Sequence, residues 1–275
     1  MPIVLEGEGW AAAFSELTLD DGTPALVGLD RVWAFGAAVV GSPTPELAQA
    51  LASVPRWRVA FLPGGAPGGP YEQALVSALL APSAAAPPSS DERAAFTLVA
   101  GEPTMRLVAY LDEDWFARRS ARFRQRLRQA RARAPIEFVV CDDTIDFGRL
   151  LAIETHSHKG LAGSGITSPD MARMYRLLVD QRAANRCVIA RHGGTDVGFI
   201  LGAVHHNTYR GLQISYVESA RAWSVGNLLQ WHEVQRHPGL RYDLGMDVAY
   251  KRHWADVEEV SRTVVVIRGH PAPRV

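Results

Sequence analysis

Residues 196–218 read DVGFILGAVHHNTYRGLQISYVE, and they decide the fold of this 275-residue chain. Two long runs rich in β-branched and aromatic residues, Asp196–His206 and Tyr209–Glu218, stand on either side of Asn207. Such runs, joined by a short polar turn, are typical of a β-hairpin. We therefore predict two long antiparallel strands in the middle of a sheet, and the segments outward from them determine the fold class.

Strand and helix patterns alternate on both sides of this hairpin. Before it, apolar periodicity and capping residues predict strand Ile136–Cys141, helix Ile145–Ser157, a helix from Ser168 to about Ala184, and strand Arg186–Arg191. After it, the same signals predict helix Trp223–Arg236, strand Leu240–Leu244, short helix Asp247–Trp254 and strand Val260–Ile267. Residues 135–275 thus have the order β-α-α-β-β-β-α-β-α-β, which predicts an α/β fold with a mixed sheet flanked by helices.

The first part of the chain repeats most of that order. The predicted elements are hairpin strands Ala25–Leu29 and Val32–Val40, helix Pro45–Ser53, strand Trp57–Leu62, helix Tyr71–Leu80, a loop at Pro82–Asp91, and strands Phe96–Ala100 and Arg106–Leu111. Asp112–Ala134 predicts one long helix that ends before Pro135. We therefore predict two similar halves, residues 1–111 and 135–275, joined by a basic helix over residues 112–134.

The composition indicates a folded protein without a membrane span. Hydrophobic residues make up 47% and charged residues 21% of the chain, and no stretch approaches about 18 uninterrupted apolar residues. The first residues, MPIVLEGE, lack the basic segment and the long apolar run of a secretory signal. Cys141 and Cys187 form no CxxC pair, and the histidines form no HxxxH or HExxH pattern. We expect a cytoplasmic protein with buried free thiols and no metal site.

The net charge is zero, but the charges are unevenly distributed. Residues 1–117 contain 14 acidic and 5 basic residues, whereas residues 118–134 contain 8 arginines and no acid. A purely basic helix repels itself, and residues 118–134 contain no acid that could pair with an arginine four positions away. Three interpretations of Arg118–Arg133 stay open: a solvated linking helix, ion pairing with the acidic first part of the chain, and binding of a polyanionic partner such as aminoacyl-tRNA or a carrier protein.

Only two of the 29 lysine and arginine residues are lysines, and both lie in motif-like segments. Lys159 lies in ETHSHKG, residues 154–160, and Lys251 lies in DLGMDVAYKRHW, residues 243–254. In a chain that otherwise uses arginine, a retained lysine indicates a need for a compact, mobile ammonium whose pKa can shift. The alternative is that both are ordinary solvated side chains at helix ends.

Three motifs, taken with the order of elements, resemble the CelD/BioF2-like group of the GNAT acyltransferase superfamily, which is similar to the FemAB aminoacyltransferases. The motifs are Ser120-x-x-x-Arg124-x-x-Leu127-Arg128-x-Ala130, Glu154-x-x-Ser157-x-Lys159-Gly160 and Asp243-x-Gly245-x4-Tyr250-Lys251-x2-Trp254. The resemblance covers roughly residues 105–268. It implies two GNAT-like halves in tandem, the first degenerate and the second complete. His158 departs from the group, which usually has tryptophan there, and this affects the acceptor pocket.

The resemblance implies a donor site where the second hairpin strand meets the next helix. In GNAT folds this junction holds the donor pyrophosphate, because the N–H groups and the positive dipole end at a helix N-terminus attract anions. We assign donor binding to Arg221, Ser224, Gly226 and Asn227 on this basis. Arg221 can add a bidentate phosphate contact. The donor is then expected to lie along the hairpin strands, which we predict to splay apart.

The same resemblance implies catalytic roles for four residues: Glu154, Lys159, Tyr250 and Lys251. Lys251 would neutralise an anionic group of the donor or the tetrahedral intermediate, and Tyr250 would protonate the leaving group. Acyl transfer to an amine also needs a group that takes the ammonium proton, for which Glu154, His156 and His158 are the candidates. His156, His158 and Asp243 are expected at the substrate pocket.

These assignments predict an N-acyltransferase that moves an acyl group from a thioester donor, acyl-CoA or an acyl-carrier protein, to an amine of a small molecule or peptide. The amine attacks directly, because no cysteine or serine nucleophile motif is visible. An alternative is a FemAB-like transferase that uses aminoacyl-tRNA, with the tRNA on Arg118–Arg133. A second alternative is a non-catalytic binding protein with a GNAT fold.

Overall fold

A computed structural model of the protein describes residues 3–28, 39–80, 96–180 and 184–269. The chain forms two compact units. Unit 1 comprises residues 1–106, 245–247 and 258–275, and unit 2 comprises residues 107–244 and 248–257. The structure thus assigns the C-terminal strand to the first part of the chain, whereas the division predicted at residues 111 and 134 assigned it to the second. In the described residues, no helix has the length and hydropathy to cross a membrane.

The helices and strands follow one another along the chain in an α/β order. They are β1 (Ile3–Gly7), β2 (Trp10–Thr18), β3 (Pro24–Gly28), β4 (Val39–Gly41), α1 (Glu46–Ser53), β5 (Val59–Pro63), α2 (Pro70–Leu80), β6 (Phe96–Tyr110), α3 (Trp115–Arg118), α4 (Ala121–Arg133), β7 (Glu137–Val140), α5 (Phe147–Thr155), α6 (His158–Leu161), α7 (Pro169–Asp180), β8 (Asn185–His192), β9 (Thr195–His205), β10 (Thr208–Tyr216), α8 (Val225–Arg236), β11 (Arg241–Met246) and β12 (Val257–Arg268). The predicted α/β class is confirmed.

Unit 1 contains a mixed sheet with the strand order β1-β2-β3-β5-β12-β6, in which β4 also pairs with β2. Strands β3 and β5 are parallel, and β5 and β12 are antiparallel. On β2 the buried residues alternate with half-buried ones, as expected of a strand with one face on the core. The core also contains Leu47 and Leu51 of α1 and Val264 and Val266 of β12. A strand from the end of the chain therefore completes the core of unit 1.

Unit 2 contains a mixed sheet with the strand order β6-β11-β10-β9-β8-β7. The central strands β8 and β9 have runs of consecutive buried residues, Cys187–Ala190 and Val197–Leu201. Such runs are typical of strands that are covered on both faces. One face of β8 and β9 packs against α8, whose apolar side includes Val225 and Leu229.

The hairpin of β9 and β10 is confirmed, with a small irregularity. Its strands stay paired from His205 and Thr208 to Gly198 and Tyr216, and the register shifts once between Gly211 and Gln213. A shift of this kind is a β-bulge, which bends the strand that contains it.

The prediction of one continuous helix over residues 112–134 is wrong, because the segment forms two helices. Helix α3 ends at Arg118, and α4 begins after Ser120, whose Oγ accepts a hydrogen bond from the Phe123 N–H at 3.2 Å. Ser120 has the extended ψ of 147° that an N-cap residue needs. The serine therefore ends one helix and caps the next, although the arginine-rich sequence around it favours helix on both sides.

Other predicted elements differ in extent. The two strands predicted between Phe96 and Leu111 are one strand, β6, because Pro103 has an exposed position where its missing N–H is tolerated. The helix predicted at Asp247–Trp254 is reduced to a 3₁₀ turn at Lys251–His253. The hairpin of β1 and β2 was not predicted. Most of Val32–Val40, all of Pro82–Asp91 and part of the end of the helix predicted to reach about Ala184 lie outside the described residues.

Candidate active site

Strands β10 and β11 form a gap in the sheet of unit 2. Their parallel pairing covers only three residues on each strand, from Thr208 with Arg241 to Arg210 with Asp243. In the described part of the chain this ladder goes no further, although β10 continues to Tyr216. We name the gap beyond Arg210 and Asp243 the fork. The prediction that the hairpin strands themselves splay is wrong, since β9 and β10 stay paired.

The two lysines of the chain meet at the fork. Lys159 Nζ donates a hydrogen bond to the carbonyl of Ile214 on β10 at 2.9 Å, and Lys251 Nζ donates to the carbonyl of Leu244 on β11 at 2.7 Å. Each strand that borders the fork therefore has an ammonium on one of its carbonyl groups. Both lysines are half-buried and donate to strand carbonyls, so neither is an ordinary solvated side chain at a helix end. Their catalytic roles stay predictions.

Burial alters the pKa of both ammonium groups. Burial, the positive charge of Arg210 and the charge of Lys159 lower the pKa of Lys251 to about 8, against the opposing effect of Asp243. Burial also lowers the pKa of Lys159, which the carboxylate of Glu154 partly offsets. The fork is therefore a site with concentrated positive charge and little water, and such a site favours an anionic ligand.

Glu154 is fully buried at the end of α5 and accepts several hydrogen bonds. Its Oε1 accepts from Gln213 Nε2 at 2.8 Å and from the Ile166 N–H at 3.4 Å, and its Oε2 accepts from Ser157 Oγ at 3.3 Å. Gly165 has a φ of +68°, and a Cβ there would overlap Glu154 Oε1. The carboxylate thus joins α5, the loop after Lys159 and β10, and it lines neither of the two cavities described below.

The N-terminus of α8 borders the fork beside β10. Ser224 has a left-handed backbone conformation, with φ of 56° and ψ of 37°, which turns the chain into the helix. Gly226 in the first helical turn packs on the Tyr216 ring, and a Cβ there would be 3.0 Å from the ring. The N–H groups of Asn227 and Leu228 donate to the Ser224 carbonyl at 3.0 and 3.1 Å. The N–H groups of Val225 and Gly226 come before the first intrahelical donors, and N–H groups in such positions can bind an anion.

A cavity of about 370 Å³ occupies the fork, and we name it the fork cavity. It contains six of the residues predicted for the site: His158, Lys159, Ser224, Gly226, Asn227 and Tyr250. The other residues that line it are Ser157, Ile214, Ser215, Tyr216 and Gln230. Burial, with a smaller contribution from Tyr216, raises the pKa of Tyr250, so its phenol keeps its proton at neutral pH.

A second cavity, of about 520 Å³, lies between α4 and the segment around Tyr250. We name it the arginine cleft. It shares Ser224, Asn227 and Tyr250 with the fork cavity, so the two are adjacent. Its other lining residues are Phe123, Arg126, Leu127, Gln129, Ala130, Arg133, Ala249, His253 and Trp254. The lining contains basic side chains and no carboxylate.

The arginines of the basic segment fall into two groups. Arg118 pairs with Asp112 and Asp256, and Arg119 also pairs with Asp256, so these two are structural. Within the part of the chain that the structure describes, no ion pair joins the arginines of α4 to an acid. Helix α4 is held instead by apolar packing of Leu127 and by Phe123, which meets Trp254 edge-on at 4.9 Å.

Some predicted residues lie outside both cavities. His156 is exposed, with Nδ1 3.0 Å from the Ala152 carbonyl of its own helix. Asp243 is buried in an ion pair with Arg210. Arg221 is 70% exposed and pairs with Glu218 at 2.8 Å, so it does not point to a preformed phosphate site.

The sequence reading missed the inner wall of the fork cavity. Gln230, Ser215 and Tyr216 line it, and none of them was singled out. Gln230 gave no clear signal in the sequence, because Asn227 and Glu233 lie one turn before and after it on the same side of α8. Of the described residues, no group of three or more histidine, cysteine or acidic side chains could hold a metal ion.

Part of the chain matches a known protein family. Residues 117–252 match the family model described as "Acetyltransferase (GNAT) domain". No curated protein sequence matches the chain significantly.

Similar solved structures include a conserved protein of unknown function from Bacteroides thetaiotaomicron VPI-5482, with 12% identity over 96% of this chain and 85% of that one, and a TM-score of 0.62. Another is the C-terminal domain (DUF2156) of a putative lysylphosphatidylglycerol synthetase from Agrobacterium fabrum, with 12% identity, coverage of 98% and 84%, and a TM-score of 0.61. A third is FemX, with 9% identity, coverage of 95% and 87%, and a TM-score of 0.55. These likenesses extend over nearly the whole chain and concern the fold.

The family match, the strand order of unit 2 and the fork beside α8 agree with one another. The match begins in α3 and ends at Arg252, so it includes both lysines, the hairpin and the N-terminus of α8. Residues 117–252 are a GNAT acyltransferase domain, and the fold of the chain resembles that of FemX.

Proposed function

We propose that the protein transfers an acyl group from a phosphate-bearing thioester, acyl-CoA or an acyl-carrier protein, to an amine at the fork cavity. The observation that carries this proposal is the position of the two lysines on the strands that border the fork. Lys159 lines the fork cavity with the first turn of α8, and Lys251 on β11 is close enough for the two charges to interact. Two buried ammonium groups and free helix N–H groups favour negative charge at one point. A thioester aminolysis develops negative charge on the carbonyl oxygen and on the leaving sulfur.

In this proposal the donor carbonyl lies in the fork cavity and the amine enters beside His158. The amine nitrogen forms the new C–N bond as the C–S bond breaks. His158 is exposed at the cavity and takes the proton that the amine loses. Glu154 is buried and already accepts three hydrogen bonds, and its charge holds the ammonium of Lys159 in place. Tyr250 keeps its proton at neutral pH and gives it to the leaving thiolate.

A test of this proposal measures the release of free thiol from acetyl-CoA and longer acyl-CoAs with a panel of primary amines. General-acid catalysis by a side chain typically contributes about 10²–10⁴-fold to the rate, so Tyr250→Phe should lower kcat by roughly that factor. Arg173→Ala on α7 is the matched surface control, because Arg173 is exposed and lines neither cavity. An unaltered kcat in Tyr250→Phe would contradict the role of Tyr250.

A second candidate is aminoacyl transfer from aminoacyl-tRNA, and the arginine cleft favours it. Arg126 and Arg133 extend the basic lining of the fork along α4, farther than a single pyrophosphate requires. FemX and the putative lysylphosphatidylglycerol synthetase domain have similar folds. The name of the second indicates transfer of a lysyl group, and this candidate extends aminoacyl transfer to the present chain. Deacylation of charged tRNA by the wild type, with no thiol release from any acyl-CoA, would select this candidate over the first.

A further inference from the structure

Gln230 is a buried amide at the inner wall of the fork cavity. It lies on α8, one turn after Gly226, and only 5% of its surface is exposed. Its side chain lines the cavity, and within the described residues its Nε2 has no hydrogen-bond acceptor. A buried N–H group without an acceptor is destabilising, and native structures contain few of them.

The neighbouring amide shows that the fold can satisfy such a group in this region. Gln213 Nε2 on β10 donates to Glu154 Oε1 at 2.8 Å and to Ser215 Oγ at 3.3 Å. The hydroxyl of Ser215 also donates to the Ile214 carbonyl at 2.8 Å, so its proton is engaged. Among the residues that the structure describes, Gln213 Nε2 thus has two acceptors and Gln230 Nε2 has none, although Gln230 and the Ser215 partner of Gln213 line the same cavity.

The surroundings of Gln230 determine which chemistry could supply the acceptor. The aliphatic side chain of Ile214 and the rings of Tyr216 and Tyr250 line the same cavity, and its cation is Lys159. A neutral primary amide among aliphatic and aromatic side chains matches an uncharged oxygen acceptor. The anionic part of a donor instead matches Lys159 and the helix N-terminus.

We propose that Gln230 is a donor-recognition residue whose Nε2 donates a hydrogen bond to an uncharged oxygen of the acyl donor. That oxygen is a carbonyl or hydroxyl, either in the acyl group or in the amide-bearing arm that carries it. This inference rests on the proposed acyl transfer at the fork cavity. Under this proposal the unpaired amide of Gln230 lowers the stability of the free protein and gains its hydrogen-bond partner when the donor binds.

The test compares the wild type with Gln230→Met, which removes the amide and keeps the length of the side chain. Melting temperatures are measured without ligand and with butyryl-CoA, 3-hydroxybutyryl-CoA, free CoA and puromycin, which is an aminoacyl-adenosine analogue. Gln235→Met is the matched control, because Gln235 is exposed on the same helix and lines neither the fork cavity nor the arginine cleft.

We expect Gln230→Met to melt at or above the wild-type temperature without ligand and to bind the accepted donor about tenfold more weakly, the effect of one lost hydrogen bond. If the substitution weakens the binding of 3-hydroxybutyryl-CoA alone, the oxygen belongs to the acyl group. If it weakens the binding of free CoA equally, the oxygen belongs to the amide-bearing arm of CoA. If the variant binds every ligand as tightly as the wild type, the inference is wrong and the proposed function stands. If the wild type binds none of the four ligands, the proposed function fails and the inference fails with it.

Discussion

Lys251 is the residue whose chemistry the fold alters most clearly. Its ammonium is removed from water, lies near two other cations and retains one carbonyl acceptor, that of Leu244. These surroundings lower its pKa from 10.5 to about 8. An arginine could not respond in this way, because a guanidinium stays charged at any physiological pH.

The lowered pKa predicts how stability depends on pH. Below about pH 8 Lys251 is charged in the folded and unfolded states, and its burial penalty is fully present. Between about pH 8 and pH 10.5 the unfolded chain binds more protons, so the free energy of unfolding rises with pH. Relative to Lys251→Met, the wild type should gain up to about 3 kcal/mol across this window. Urea unfolding at pH 7.5 and 9.5 measures the gain, and a difference that does not vary with pH would contradict it.

Gly165 and Gly163 form a matched pair for testing the buried carboxylate. Both have positive φ angles, +68° and +67°, so alanine at either position adds backbone strain of about 1–2 kcal/mol. A Cβ on Gly165 would also overlap Glu154 Oε1, whereas a Cβ on Gly163 meets nothing within 4 Å. We expect Gly165→Ala to lower the free energy of unfolding clearly more than Gly163→Ala and to reduce donor binding, because it displaces the group that positions Lys159.

Equal effects of the two substitutions on unfolding and on donor binding would show that Glu154 has no such positioning role.

At the scale of single residues the sequence revealed the lysines, because two lysines among 27 arginines stand out by composition. It could not reveal Gln230, because an unpartnered amide is defined by what surrounds it in space and not by its position along the chain.

At the scale of elements, α4 is an amphipathic helix whose charged residues are all arginines. Leu127 and Ala130 are buried, while Arg122, Arg126 and Arg133 are exposed. The sequence predicted this basic helix, but it could not predict the break at Ser120. The break decides which arginines are structural and which belong to α4.

We predict that the double substitution Arg126→Ala, Arg133→Ala weakens donor binding without unfolding the protein. Both side chains are exposed and line the arginine cleft, so they contribute little to the core. For a CoA donor we expect roughly a tenfold rise in Kd, from the loss of charge-assisted phosphate contacts. For a tRNA donor, the slope of log affinity against log salt should fall by about 1 for each arginine removed.

Titration of free CoA and of tRNA at several NaCl concentrations distinguishes these outcomes. Arg173→Ala on α7 is the control for the loss of a surface charge. If the double variant has the wild-type Kd and the wild-type salt slope, the arginine cleft does not bind the donor, and the basic face of α4 is a solvated surface.

At the scale of the whole molecule, the order of elements in unit 2 was readable from local patterns. Its hairpin and helices have clear apolar periodicity and turn residues. The sequence did not indicate that β12 belongs to unit 1, because strand pairing across about 200 residues leaves no local sequence pattern. Thr263–Ile267 of β12 pairs antiparallel with Val59–Pro63 of β5, and Val264 and Val266 enter the core of unit 1.

This pairing predicts that residues 1–111 cannot fold alone. The fragment lacks β12, so β5 loses an antiparallel partner and the core loses two buried valines. Each buried valine contributes about 1.5–3 kcal/mol, a large part of the usual stability of a domain. Circular dichroism and urea titration should show no cooperative transition for residues 1–111, and one should return when residues 257–269 are attached through a long Gly/Ser linker. Cooperative unfolding of residues 1–111 alone would instead favour the boundary predicted from the sequence and would make β12 dispensable for the first unit.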